Sequence, residues 1–258
     1  MLNRLKEQKK KAFIPFVVVG DPDLETTGRA VDILIEEGAD LIELGVPFSD
    51  ALADGPVIQA ASERAAQKTS LRAVLNFASD KVKQHPKYPF VLFTYYNPVL
   101  KMGLHQFAKE ASLANIYAVL VVDLPPEEAT VYSEVMEDAG IRTVFLASPT
   151  TPKSRLIEIC RASTGFIYYV SRTGVTGTQA EVSSTLSAEI AEVRRLTQQP
   201  LAVGFGVSNG EQAREIASLA DAVVVGSAFV KRVSEDPQGL VSFRALAREI
   251  RTATLIKK

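Results

Sequence analysis

Eight short apolar, β-branched runs alternate with helical patterns along the whole chain, and no other feature limits the possible folds as much. The runs are Phe13 to Val19, Asp40 to Leu44, Phe90 to Tyr95, Tyr117 to Val122, Arg142 to Leu146, Gly165 to Val170, Leu201 to Val203 and Asp221 to Val225. Between them lie periodic segments such as Thr26 to Glu37, Leu71 to Val82, Gln106 to Leu113, Glu127 to Ala139, Pro152 to Ala162, Ala188 to Leu196, Gly210 to Leu219 and Leu240 to Thr252. Alternation of this kind predicts a parallel sheet, because parallel neighbours need a long crossover and a helix supplies it. Runs such as Ala222-Val223-Val224-Val225, apolar at every position, predict strands buried on both faces. Eight strand-helix units in 258 residues match a closed α/β barrel, and a doubly wound open sheet is the alternative. No polar linker breaks the rhythm, so the expectation is one domain, residues 1–258.

Charge and composition exclude several function classes. Twenty-nine basic residues against thirty acidic ones give a net charge of −1, with neither sign in a long block, so no nucleic-acid partner is expected. No segment approaches a membrane span. The basic stretch Lys6 to Lys11 is not followed by a long apolar run, which predicts a solvated amphipathic N-terminal helix rather than a targeting peptide. The single cysteine, Cys160, lies on a helical face and predicts core packing in a reducing, cytoplasmic compartment.

One predicted strand carries an anomaly. Glu43 interrupts the apolar run Leu41-Ile42-Glu43-Leu44, where an ionised carboxylate is costly unless it is paired or hydrogen-bonded. Desolvation would raise its pKa towards neutrality and let it both give and take a proton. A structural ion pair is the other reading. The following loop brings a second carboxylate, Asp54, readable as an acid-base partner or as a loop cap. Two connections are long, Val46 to about Ser70 and Ser171 to Ser187, and in a barrel both leave from the strand ends that carry active sites.

Glycine turns end the late strands: Gly174-Val175-Thr176-Gly177, Gly204-Phe205-Gly206-Val207-Ser208 and Gly226-Ser227. Each alone is a backbone necessity. Grouped after the last strands of a barrel they predict an anion cradle, with a helix starting after Gly226-Ser227. The two histidines, His85 and His105, lack ligand spacing and are expected on the surface. Hydrolase elbows, zinc motifs, Walker loops and dinucleotide fingerprints are absent from the sequence, so no metal or cofactor is expected in this chain. No predicted strand end offers the lysine of a Schiff-base aldolase.

The segment from Glu43-Leu44-Gly45-Val46-Pro47-Phe48-Ser49-Asp50 through Leu52-Ala53-Asp54-Gly55-Pro56-Val57-Ile58-Gln59 resembles the signature of the tryptophan synthase alpha chain family. Gly20-Asp21-Pro22, Thr94-Tyr95-Tyr96-Asn97-Pro98, Asp123-Leu124-Pro125, Ser148-Pro149-Thr150-Thr151, Tyr168 to Gly177 and Gly204 to Ser208 follow in family order. The resemblance implies a (β/α)8 TIM barrel, here a single domain with an extra N-terminal helix. It also implies a carbon-carbon lyase that cleaves indole-3-glycerol phosphate into indole and glyceraldehyde 3-phosphate in tryptophan biosynthesis. The implied partner is a pyridoxal-phosphate β chain in an α2β2 heterotetramer, with the cofactor in the β chain. Glu43 and Asp54 match the family's catalytic carboxylates. Phe16, Tyr95, Tyr168 and Phe205 match pocket residues, alongside Phe93 and Val122. Thr176 matches a loop residue that bonds the aspartate, with Arg172 at the base of that loop. Gly177, Gly206, Gly226 and Ser227 match the phosphate site. Ala51 stands where the family usually has proline, which frees the loop by up to about 1 kcal/mol. Rival functions are a stand-alone lyase that releases free indole, a non-catalytic regulatory barrel, and another phosphate-binding barrel such as a sugar-phosphate epimerase.

Overall fold

The computed structural model describes residues 2–86, 88–171, 179–204 and 206–255. Eight parallel strands close into a barrel in chain order: β1 (Ala12–Val18), β2 (Ile42–Gly45), β3 (Phe90–Thr94), β4 (Ile116–Val121), β5 (Arg142–Ala147), β6 (Phe166–Val170), β7 (Leu201–Gly204) and β8 (Ala222–Val225), with β8 pairing back onto β1. Closure removes every sheet edge and rules out the open doubly wound sheet. The early helices are α1 (Leu2–Glu7), α2 (Leu24–Glu36), α3 (Pro56–Ala66), α4 (Leu71–Gln84), α5 (Tyr96–Met102) and α6 (Leu104–Leu113). The later ones are α7 (Thr130–Asp138), α8 (Lys153–Ala162), α9 (Gln179–Leu196), α10 (Gly210–Leu219), α11 (Ser227–Glu235) and α12 (Val241–Thr254).

Alternation along the strands sorts side chains into two layers. Ala12, Ile14, Val91, Ala118, Leu120, Val144, Phe166, Ala202 and Val224 fill the barrel, while Phe13, Ile42, Leu44, Val119, Ile167 and Val223 pack outward under the helices. Cys160 belongs to the outer layer, as its helical face predicts. Leu41 lies inside and its neighbours Ile42 and Leu44 lie outside, so Glu43 faces the interior.

Four local expectations need correction. The amphipathic N-terminal helix is present but earlier than the basic stretch: α1 ends at Glu7, with Asn3, Arg4 and Glu7 exposed and Leu2 and Leu5 packed on the interior cluster with Leu41 and Ala12. Burying Leu2 there is worth about 2 kcal/mol, while Lys6 and Lys11 donate to the carbonyls of Gln198 and Ala220 at 2.5 and 2.7 Å. The connection after β6 is shorter than expected, because α9 begins at Gln179 rather than Ala188. Helix α5, unforeseen, starts immediately after β3 and is split from α6 by Gly103 at φ 88°. His85 is half-buried rather than exposed, with Nε2 3.0 Å from Asp32 Oδ1, to which Lys81 Nζ also donates at 2.7 Å. His105 is exposed, as expected.

Candidate active site

Strand β2 places Glu43 in the barrel with no solvent exposure, and neither carboxyl oxygen has a hydrogen-bond partner among the described residues. The ion-pair reading is therefore not met. Desolvation alone pushes its pKa up to about 8, so the group is mostly protonated at neutral pH. Above it, Gly45 lets the Phe16 ring lie over the strand, since a Cβ at Gly45 would stand 2.5 Å from Phe16 Cζ. Phe16 meets Phe93 edge to face at 5.1 Å, forming one apolar wall.

Asp54 comes from the loop between β2 and α3. Helix α3 is preceded by Gly55 and has no side-chain cap, so Asp54 is not serving as one. Its carboxylate instead accepts from Tyr95 Oη at 2.8 Å. Burial raises its pKa, and the Tyr95 hydrogen bond opposes part of the rise. The loop turns tightly: the Asp54 N–H donates to the carbonyl of Ala51, which is buried, while Leu52 is 86% exposed.

Tyr168, from β6, joins the two acids. Its hydroxyl is held far above the ordinary tyrosine range by burial first, then by Glu43 and Asp54, so it stays protonated within the field of both. Gly204 leaves it room, since a Cβ there would meet Tyr168 Oη at 3.1 Å and Val224 Cβ at 2.8 Å.

A second kind of site lies across the mouth. The N-terminus of α10 is closed, with Asn209 Oδ1 accepting from Gln212 N–H at 3.0 Å and Glu249 Oε1 from Gly210 N–H at 2.5 Å. Helix α11 follows Gly226 with neither a side-chain cap nor an acidic residue in its first turn. Its positive end is therefore open to an anion. Gly226 faces Ile58 and Phe16, so this end adjoins the apolar wall. Gly206 is exposed at φ 74°, a conformation that favours glycine.

Of the residues expected in the site, Glu43, Asp54, Phe16, Tyr95, Tyr168, Gly206 and Gly226 lie on the strands or in the loops that follow their carboxyl ends, and Ser227 opens α11. Phe93 and Val122 pack on the interior cluster with Tyr168. Arg172, Thr176, Gly177 and Phe205 lie outside the described residues. Asp123 caps α5, accepting from the Tyr96 N–H at 2.7 Å. Sequence reasoning assigned no role to Gln59, whose side chain donates to the Asp54 carbonyl at 2.8 Å. Its place one turn into a helix that opens with proline was the available signal.

The family model described as Tryptophan synthase alpha chain matches residues 2–254. A tryptophan synthase alpha chain from Citrifermentans bemidjiense is 50% identical over 228 residues, 88% of this chain and 85% of the relative. One from Cyanothece sp. is 46% identical over 253 residues, 96% of this chain and 94% of the relative. The crystal structure of tryptophan synthase subunit alpha from Legionella pneumophila superposes with a TM-score of 0.90 at 36% identity, covering 98% of this chain and 96% of that one. With the barrel, the interior acid and the open helix end in view, these matches mean that the chain belongs to the tryptophan synthase alpha chain family.

Proposed function

We propose that Glu43 and Asp54 carry the chemistry of this chain. As a family member it is a lyase of tryptophan biosynthesis that cleaves indole-3-glycerol phosphate, and it works with a β chain. Cleavage must expel C3 of an indole, a poor carbanion, so C3 has to be protonated first. Glu43 starts in its acid form and gives that proton, converting the ring to an indolenine. Asp54, ionised, accepts the indole N–H and stabilises the positive charge developing on nitrogen. The Glu43 carboxylate then takes the proton of the hydroxyl on the carbon attached to C3. The oxygen's electrons form the aldehyde, and the C–C bond electrons return to the ring as indole. The observation that carries this reading is the buried Glu43 carboxyl, which faces the interior and has no partner among the described residues.

Phe16, Tyr95, Tyr168 and Phe205 would hold the indole, and Gly177, Gly206, Gly226 and Ser227 the phosphate. Thr176 would reach Asp54 when its loop closes and excludes water. This arrangement asks for no cofactor in this chain; pyridoxal phosphate belongs to the β chain, in an α2β2 assembly working in the cytoplasm. The whole chain acts as one domain in this reading.

The test is indole release from indole-3-glycerol phosphate by the purified chain, with and without a β chain, with Glu43→Gln as control. Slow cleavage that rises sharply with the partner and vanishes in Glu43→Gln is expected. Fast cleavage indifferent to the partner would instead mark a stand-alone lyase, and near-normal turnover by Glu43→Gln would overturn the assignment of the acid.

A further inference from the structure

The geometry points to Gln59 and Tyr95 as positioning residues that hold Asp54 from two sides, Gln59 through its carbonyl and Tyr95 through its carboxylate. The inference rests on the catalytic reading of Asp54 above.

Gln59 is the fourth residue of α3, and its own N–H makes the helix's opening bond to the Gly55 carbonyl at 2.9 Å. Its side-chain amide reaches back past the cap and donates to the Asp54 carbonyl at 2.8 Å. The Asp54 peptide is thereby tied to a helix rather than to loop alone. On the other side, Tyr95 Oη donates to Asp54 Oδ2 at 2.8 Å and accepts from the Ala53 N–H at 3.0 Å. Its ring also packs on Phe48 of the same loop, with centroids 5.1 Å apart. One tyrosine thus grips the loop at three residues.

Tyr95 is itself anchored, since it links the end of β3 to α5, whose first N–H is held by Asp123. Helix and strand therefore both reach Asp54, and a carboxylate on a loop behaves as though it were built on rigid elements. The benefit is in the rate. A displacement of about 1 Å in a catalytic group can cost about a hundredfold. Among the described residues, the groups around Asp54 are Tyr95 after β3, neutral Gln59 from α3, and Tyr168 from β6, whose hydroxyl feels both Asp54 and Glu43 of β2. Among these, the Tyr95 hydroxyl bonds the carboxylate directly and favours its charged form.

The experiment uses the full chain with saturating β chain and indole-3-glycerol phosphate. Gln59→Met and Tyr95→Phe keep most of the volume and the apolar contacts while removing the donors. Both should lower kcat by about ten- to a hundredfold, with KM kept within about twofold because the ground-state contacts remain. Tyr95→Phe should also move the acid limb of the kcat profile to higher pH, whereas Gln59→Met should leave it in place. The substrate phosphate titrates alike in all three proteins, so a difference between them reports on Asp54. Unchanged kcat in either variant, a raised KM with kcat preserved, or an unmoved acid limb in Tyr95→Phe would overturn the inference. Asp54→Asn, run in the same series, separates the two levels: near-normal turnover there sinks the catalytic reading of Asp54 itself.

Discussion

Asp40 and Glu43 flank the start of one strand and meet opposite fates. Glu43 is fully buried and Asp40 largely so, and burial raises the pKa of each. Asp40, at the foot of β2, accepts from the Phe13 N–H at 2.9 Å and from Arg251 at 2.8 Å, and both pull its pKa back down. Glu43, further up, has no partner among the described residues to offset its desolvation. Burial alone does not separate a structural acid from a chemical one. Partners do: a satisfied carboxylate is fixed in one state, whereas an unsatisfied one is poised to exchange a proton with whatever enters.

Breaking the pair at its chemical end should have the largest effect. Glu43→Gln is expected to lower kcat for indole-3-glycerol phosphate cleavage by about a thousandfold or more with the barrel intact by circular dichroism. Asp54→Asn comes next, at about a hundredfold or more in the same assay, because it removes charge stabilisation rather than the proton itself. At the structural end, Arg251→Met leaves Asp40 with one partner and should cost about 1–3 kcal/mol in urea unfolding, with kcat unchanged; equal stability would mean that the ion pair contributes nothing. A last test sharpens the comparison through pH. Between 4.5 and about 8 the folded chain keeps a Glu43 proton that the unfolded chain has released. Stability should therefore fall as pH rises through that window and level off above it, by about 1.4 kcal/mol per pH unit. Glu43→Gln should lack that slope, and parallel stability profiles for the two proteins would refute a raised Glu43 pKa.

The strands were legible because β-branched runs survive any tertiary context, and Glu43 was legible because an acid inside such a run breaks its pattern. What escaped notice depends on contacts between distant residues. His85 could not be seen as half-buried without Asp32, 53 residues away, and Asp54 could not be distinguished from a helix cap without Tyr95, 41 residues away. The N-terminal helix was placed too late for a different reason. Its charged stretch is exposed as expected, but Leu2 and Leu5 decide where the helix goes, and two apolar residues give too short a period to read. Helix α5 was missed because seven residues carry barely two turns of pattern.

The closed floor of the barrel has a consequence for how the reaction meets its surroundings. With Leu2 and Leu5 packed on the interior cluster that holds Leu41, Glu43 is closed off from solvent, and in the proposed reading the substrate would reach it from the carboxyl ends of the strands. In the proposed cycle the proton Glu43 gives to the ring is replaced by the same molecule's hydroxyl proton, so the acid ends each turnover as it began. Solvent then supplies no net proton to the cycle, because the one spent on the ring is recovered from the substrate itself.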